Sequence, residues 1–446
     1  MTPEQRGHWL LGNFPELSRT PLRFFRELAM LGKVVRFRVL TTDCYFINHP
    51  GMIQHILTSA AYSRNTRDFH LFRSILGEGL VTSEGTVHRS RRRLLQPAFH
   101  HQRIQALLGP IITQATEAMI QAWRPGLTLD LVDAMLNLTL RIVGEALFGL
   151  DFVSDRLAMS IRTLETYLTE QFSSPLDLPS FLPTRRNRRL WHAKRLLHSE
   201  IARCLSLQQH DQDSSHNGFL SYLLQLPLTR EQIRDEILTI LLAGHETTAS
   251  ALVWAWCLLS EHPEVAQRLR HELREVLGER SPSVDDLPRL TYPLMVFKET
   301  LRMYPPAWLV SRRVEKEDVV AGFRLPQHAI VFLSPWVTHY DPMYWDEPMQ
   351  FRPERFAKSL APHPRSAYFP FGGGEHRCIG EGFALLEGQL ILATVAQHYH
   401  VRVLDHPVKP GVFPALRPRG GVLPITLSRL PEEGTVISAA TPSDEV

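Results

Sequence analysis

The chain has 446 residues, 44% of them hydrophobic and 21% charged, with 49 basic side chains against 46 acidic and a formal charge of +3. That apolar share is enough for a large core and excludes a wholly disordered chain, and so small a surplus gives no reason to expect a polyanion partner. Four cysteines, Cys44, Cys204, Cys257 and Cys378, stand far apart without a CxxC pair, which excludes a disulfide framework or zinc knuckle and makes a reducing compartment the default.

The N-terminus lacks the basic and apolar regions of a signal peptide, and no run of about 18 uncharged apolar residues follows, so a cytoplasmic protein is expected. Residues 34–48 alternate apolar and polar side chains around "TTD", which predicts a β-hairpin. From about residue 86, apolar positions recur three and four apart through 102–123, 130–148 and 155–172, predicting a helical bulk over 85–305. Three prolines and four arginines in 173–189 predict an exposed connection entering a basic first turn, and 205–217 reads as a polar loop. Thr229 and Gln232 form a capping-box pattern before a very long apolar helix ending near Ser260, and Pro263 starts the next. A helix over 292–303 is stopped by "YPP", 319–335 reads as short strands, and the prolines of 339–356 exclude regular structure. Residues 1–430 are expected to form one unit, with β-rich parts near 30–60 and 310–335, and 431–446 a disordered tail.

"FGGGEHRCIGEGF" puts Cys378 at a helix start, where partial positive charge and free N–H groups favour a thiolate. Gly372, Gly373 and Gly374 permit a tight turn and close approach to a flat partner, while Gly380 and Gly382 leave the first helical turn uncrowded. A glycine turn before a lone cysteine is, by itself, more often core packing; a phosphate loop would need GK[ST] or GxGxxG, and neither is present. Phe371, Gly374, Cys378 and Gly380 together match FxxGxxxCxG, and Gly372 and His376 match its common bacterial elaboration. On these residues the chain resembles the cytochrome P-450 family.

The resemblance extends, in family order, over about residues 85 to 390. In "FKETLRMYPP", Glu299 and Arg302 alone would be an ordinary surface pair. In the family such a pair is buried and joined by a later arginine, here Arg355, in a structural role. In "LLAGHETTAS", polar residues interrupt an apolar helix, which alone suits a solvated stripe or a threonine hydroxyl bonded back to the Ala243 carbonyl. The resemblance implies a local bend making room for dioxygen, with Ala243 and Gly244 against the cofactor, Thr247 as hydrogen-bond donor and Glu246 as proton relay; His245 and Thr248 are left without a firm role. His88 and Arg92 share a helix face that alone reads as solvated, but the resemblance implies that they hold heme propionates with His376 and Arg312, or its neighbour Arg313.

The family implies a mainly α fold with small β-sheets and heme b between the long central helix and the cysteine-bearing helix. Cys378 would be the axial iron ligand, with Phe371, Gly372 and Gly380 around the cofactor. The implied activity is a monooxygenase that inserts one oxygen atom into a C–H bond of a large hydrophobic substrate, resting at most on a membrane surface to reach it. Residues 68–80, Phe172, Ala243 and 307–311 are expected along the pocket, although core packing would give the same apolar composition. Electrons are expected from a ferredoxin and its reductase, docked over Arg89 and Arg93. Several strings most resemble bacterial carotenoid-ring hydroxylases, so a β-carotene-like substrate is expected first and a fatty acid or terpenoid next. Two other classes remain: a reductase-independent heme-thiolate peroxygenase or isomerase, against which the Glu246–Thr247 pair argues, and a non-enzymatic heme binder.

Overall fold

A computed structural model describes residues 2–149, 155–174, 181–210, 218–357, 366–412 and 414–429; the expected tail falls outside them. The long helix Arg230–Glu261 begins at the predicted capping box: Thr229 Oγ1 accepts from the Gln232 N–H at 3.2 Å, and the Gln232 side chain accepts from the Thr229 N–H at 2.9 Å. It is long and apolar enough to cross a membrane, but most of that stretch is buried in the protein, as befits a core helix. Helices Leu131–Phe148, Thr291–Met303 and Glu381–His398 pack into the main core with it. Gly244 permits one close crossing, because a Cβ there would stand 3.2 Å from Val143 Cγ2.

A six-stranded sheet lies beside this helical body, in the order Glu4–Gln5, Val34–Val39, Thr42–Ile47, Ile330–Leu333, Val310–Val314, Tyr62–Ser63. The predicted hairpin forms, but its turn falls on Leu40 and Thr41, and Thr42 and Asp43 already belong to the second strand. Leu40 takes the left-handed backbone (φ 53°), which tightens the turn. Ile330–Leu333 runs parallel to Thr42–Ile47 and joins the two β-rich regions. Behind the sheet, Phe25, Phe37, Phe46 and Trp308 form an aromatic core.

The polar run 205–217 is not all loop, since helix Arg185–His210 continues through its first residues. Polarity there does not break the helix, since the Ser206 hydroxyl donates to the Ala202 carbonyl at 3.0 Å. Residues 211–217 lie outside the described residues. A C-terminal hairpin, Pro410–Val412 with Leu416–Pro418, is pinned to the long helix: Ser250 Oγ and Trp254 Nε1, the latter at 2.8 Å, both donate to the Leu416 carbonyl.

Candidate functional site

The loop before Cys378 closes on itself, the Cys378 N–H donating to the Phe371 carbonyl at 3.0 Å. Gly372 and Gly374 adopt φ of 69° and 66°, a region that side chains disfavour, and a Cβ on Gly374 would collide with the Leu57 carbonyl. Gly380 is the N-cap of helix Glu381–His398, so the thiol sits where predicted. Cys378 is exposed, whereas Cys44, Cys204 and Cys257 are buried. Crowding still pushes its thiol up, with the Gly380 N–H and the nearby Arg92 and Arg377 pulling the other way.

Glu299 and Arg302 are fully buried and form a forked pair, Nε to Oε2 at 2.7 Å and Nη2 to Oε1 at 2.8 Å. Arg355 Nε joins at 3.2 Å, and the Arg352 N–H donates to the same Glu299 oxygen at 3.0 Å. The remaining Arg302 donors reach the carbonyls of His339, Pro348 and Gln350 at 2.8, 2.9 and 3.2 Å. His339, which sequence reasoning passed over, carries the linkage on: Nδ1 donates to the Arg302 carbonyl at 3.0 Å, and Nε2 accepts from the Phe369 N–H at 3.1 Å. Burial lowers it to about 3, so it stays neutral, as that pattern requires.

Leu242 aside, the long helix is buried through its centre except for one stripe, Ile240, Ala243, Gly244 and Thr247, at the three-and-four spacing of a single face. The helix runs unbroken here, and the Thr247 hydroxyl donates to the Ala243 carbonyl at 2.9 Å. The expected bend is therefore no break in the helix; a mid-helix threonine satisfies its hydroxyl on the carbonyl four residues back. Glu246 turns into a buried cluster with Glu165, His245 and Arg417. Arg417 Nη2 donates to Glu246 Oε1 at 2.7 Å and to Glu165 Oε2 at 3.1 Å, and His245 Nε2 faces Glu165 Oε1 at 3.1 Å. Burial and then the Glu165 charge push Glu246 up to about 7.

A second polar corner gathers beside the cysteine loop. His376 Nδ1 lies 3.2 Å from His88 Nε2, and its other nitrogen is 3.6 Å from Glu84, which pairs with Arg64 at 2.9 Å. Burial opposes the ionisation of Glu84, but His376 and Arg64 outweigh it and hold the group at about 2. Burial, with the charges of His376 and Arg64, lowers His88 to about 3. Arg312 is buried, donates to the Ser311 carbonyl at 2.8 Å, and is lowered to about 10 by burial and the neighbouring Arg64. Strand alternation sends Arg313 the other way, to His328 at 2.9 Å. Arg92, expected in this corner, instead donates to the Arg377 carbonyl of the cysteine loop at 2.6 Å.

A family model described as Cytochrome P450 matches residues 2–422. The chain belongs to the cytochrome P450 family. It is 35% identical over 438 residues to cyclooctatin synthase of Streptomyces melanosporofaciens, covering 96% of this chain and 93% of that one. Cyclooctat-9-en-7-ol 5-monooxygenase of the same organism is 34% identical over 404 residues, with 88% of each chain covered. Pentalenene oxygenase of Streptomyces avermitilis is 31% identical over 413 residues, covering 90% of this chain and 91% of that one. The protein is thus a P450 monooxygenase of mainly α fold that uses heme b and takes electrons from an external redox partner.

The residues present fit heme. Among the described residues no three His, Cys, Asp or Glu converge as a metal-holding group, so a lone thiolate suits an iron whose other ligands come largely from a porphyrin. The corner of His88, His376, Arg64 and Arg312 suits carboxylates: His88 Nδ1 is buried without a partner, and among the described residues no carboxylate is paired directly with the buried Arg312. Sequence reasoning missed Arg64, whose "SRN" context carries no signal; only the fold brings it beside Glu84.

A cavity of about 1040 Å³ opens between the sheet, helix Arg67–Leu76, the end of helix Asp155–Phe172 and the C-terminal hairpin. Of the expected pocket residues, Asp68, Phe72, Phe172, Trp308, Leu309 and Ser311 line it, and Ala243 does not.

Proposed function

We propose that this P450 hydroxylates a cyclic terpenoid. The reading is carried by the cavity, whose floor of Phe72, Phe172, Trp308 and Phe332 is broad, apolar and aromatic, as a rigid hydrocarbon ring system requires. It is supported by relatives that match nearly end to end and whose names specify cyclooctatin, cyclooctat-9-en-7-ol and pentalenene. The β-carotene-like substrate expected first gains no support from these relatives, and terpenoids now lead.

Heme, when bound, supplies the dioxygen and C–H oxidation chemistry. Cys378 would hold the iron as thiolate, and His88, His376, Arg64 and Arg312 would hold the carboxylates. Glu299, Arg302 and Arg355 fix the segment leading into the cysteine loop. The aromatic floor orients the substrate and excludes water, while Thr247 and Glu246 hold the proton that oxygen insertion consumes. Electrons would come from a ferredoxin-type partner.

Soret spin-shift titrations with cyclic sesquiterpenes and diterpenes, β-carotene and fatty acids test the substrate. A low-to-high-spin shift confined to cyclic terpenoids is expected, and one confined to β-carotene or fatty acids would overturn the reading. Cys378→Ala should abolish the red-shifted ferrous-carbonyl band of thiolate ligation, and its retention would sink the axial assignment.

A further inference from the structure

We propose that Glu165 is a positioning residue that keeps Glu246 protonated beside Thr247, with Arg417 holding the two carboxyls together, and that it does so only while two walls of the substrate cavity are closed. The proposal rests on the reading of Glu246 as proton donor.

All four members of the cluster are buried, and they come from three elements: Glu165 from helix Asp155–Phe172, His245 and Glu246 from the long helix, and Arg417 from the C-terminal hairpin. Both His245 nitrogens face acceptors, Nδ1 the Leu241 carbonyl at 2.9 Å and Nε2 the Glu165 carboxylate, so the ring is held as imidazolium. Burial opposes that charge, but Glu165 more than offsets it and raises His245. Glu165 thus has two cationic partners, whereas Glu246 shares one guanidinium and adds the Ala415 N–H at 3.3 Å. The proton settles on the less well served carboxyl. These are the charged groups facing Glu246 among the described residues: Glu165 from one element, Arg417 from a second and His245 on its own helix.

The outer two elements are cavity walls. Thr169 and Phe172, from the Glu165 helix, line the cavity, as do Pro410, Gly411, Val412 and Pro414 of the hairpin. The hairpin is fastened to the long helix through Ser250 and Trp254. The Glu165 helix is tied across the cavity by Arg67, which donates to the carbonyls of Gln171 at 3.1 Å and Ser174 at 2.7 Å. Opening this wall removes Glu165 from the cluster. Glu246 then loses its negative neighbour, gains Arg417 to itself and releases its proton to solvent. Closure reverses this and takes one proton up. When Glu246 passes its proton towards Thr247, the carboxylate left behind pairs with Arg417 until solvent restores the proton. Proton delivery is therefore armed by a filled, closed cavity.

The test compares Glu165→Gln, Glu165→Asp and Glu246→Gln in the heme-loaded protein. One readout is product formed per electron pair across neutral pH; the other is the infrared carbonyl band of a buried protonated carboxyl that Glu246→Gln removes, which does not depend on turnover. In the parent protein both should fall together as pH rises through about 7. Glu165→Gln leaves the Arg417–Glu246 pair balanced, so it should fold, yet it should move both curves to lower pH and cut coupling several-fold above neutrality; Glu165→Asp should restore them. Loss of coupling in Glu165→Gln without a shifted pH profile would reduce Glu165 to a structural part and overturn the proposal. Full coupling in Glu246→Gln would instead sink the donor reading itself.

Discussion

Glu387 shows what a single buried carboxyl does to this fold. It sits on the cysteine helix, 1% exposed, and burial pushes it up to about 8 from an ordinary value of 4.5, with Thr248 pulling modestly the other way. Below 4.5 folded and unfolded chains both hold the proton; between 4.5 and about 8 the unfolded chain releases it while the folded chain keeps it. The unfolded state therefore binds fewer protons across that window, and stability falls as pH rises. Glu387→Gln keeps the shape and removes the titration, so its Tm should match the parent near pH 4.5 and exceed it increasingly towards pH 8. Parallel Tm curves would contradict this. No sequence pattern singled out Glu387, Glu165 or Arg417. Their meaning lies in partners far along the chain, 171 positions apart for Arg417 and Glu246, whereas Cys378 and Glu299 stand inside short strings with fixed spacing.

At the scale of elements, helix Thr291–Met303 holds the segment that leads into the cysteine loop. Five donor contacts leave Arg302, two to Glu299 and three to carbonyls, and His339 relays the connection to Phe369. Removing the guanidinium strands a fully buried carboxylate, so Arg302→Ala should cost about 3–5 kcal/mol and lower heme content together with Tm. Arg302→Lys should not rescue it, because one ammonium cannot serve acceptors spread around a planar fork. A Lys variant with parental Tm and heme content would refute this account. The helices were legible because their apolar periodicity coincides with burial, and the Thr229 capping box set the start of the longest. The misjudged boundaries have local causes: Leu40 accepts a left-handed turn that residue type does not advertise, and helix Arg185–His210 continues into the polar stretch.

Across the whole molecule a formal charge of +3 is too small to steer a partner, so docking must depend on where cations are placed. Helix Gly85–Leu95 places them on two faces. His88 and Arg91 point inward, Arg91 pairing at 2.7 Å with Glu236 of the long helix, while Arg89 and Arg93 are exposed. Arg89 is only loosely held, 3.7 Å from Glu375 in the cysteine loop, so the outer face lies over the segment that carries the thiol. An acidic ferredoxin docking there would meet one helix that both supports the cofactor corner and presents the cations. Reversing a rim charge acts mainly on association and is screened by salt. Arg93→Glu should therefore slow reduction by an acidic ferredoxin about 5- to 10-fold at low ionic strength, with the deficit shrinking as salt is added. Spin-shift titrations of the same variant should be unchanged, because Arg93 faces away from both cofactor corner and cavity. A rate indifferent to Arg93→Glu and to salt would move the electron entry point off this helix.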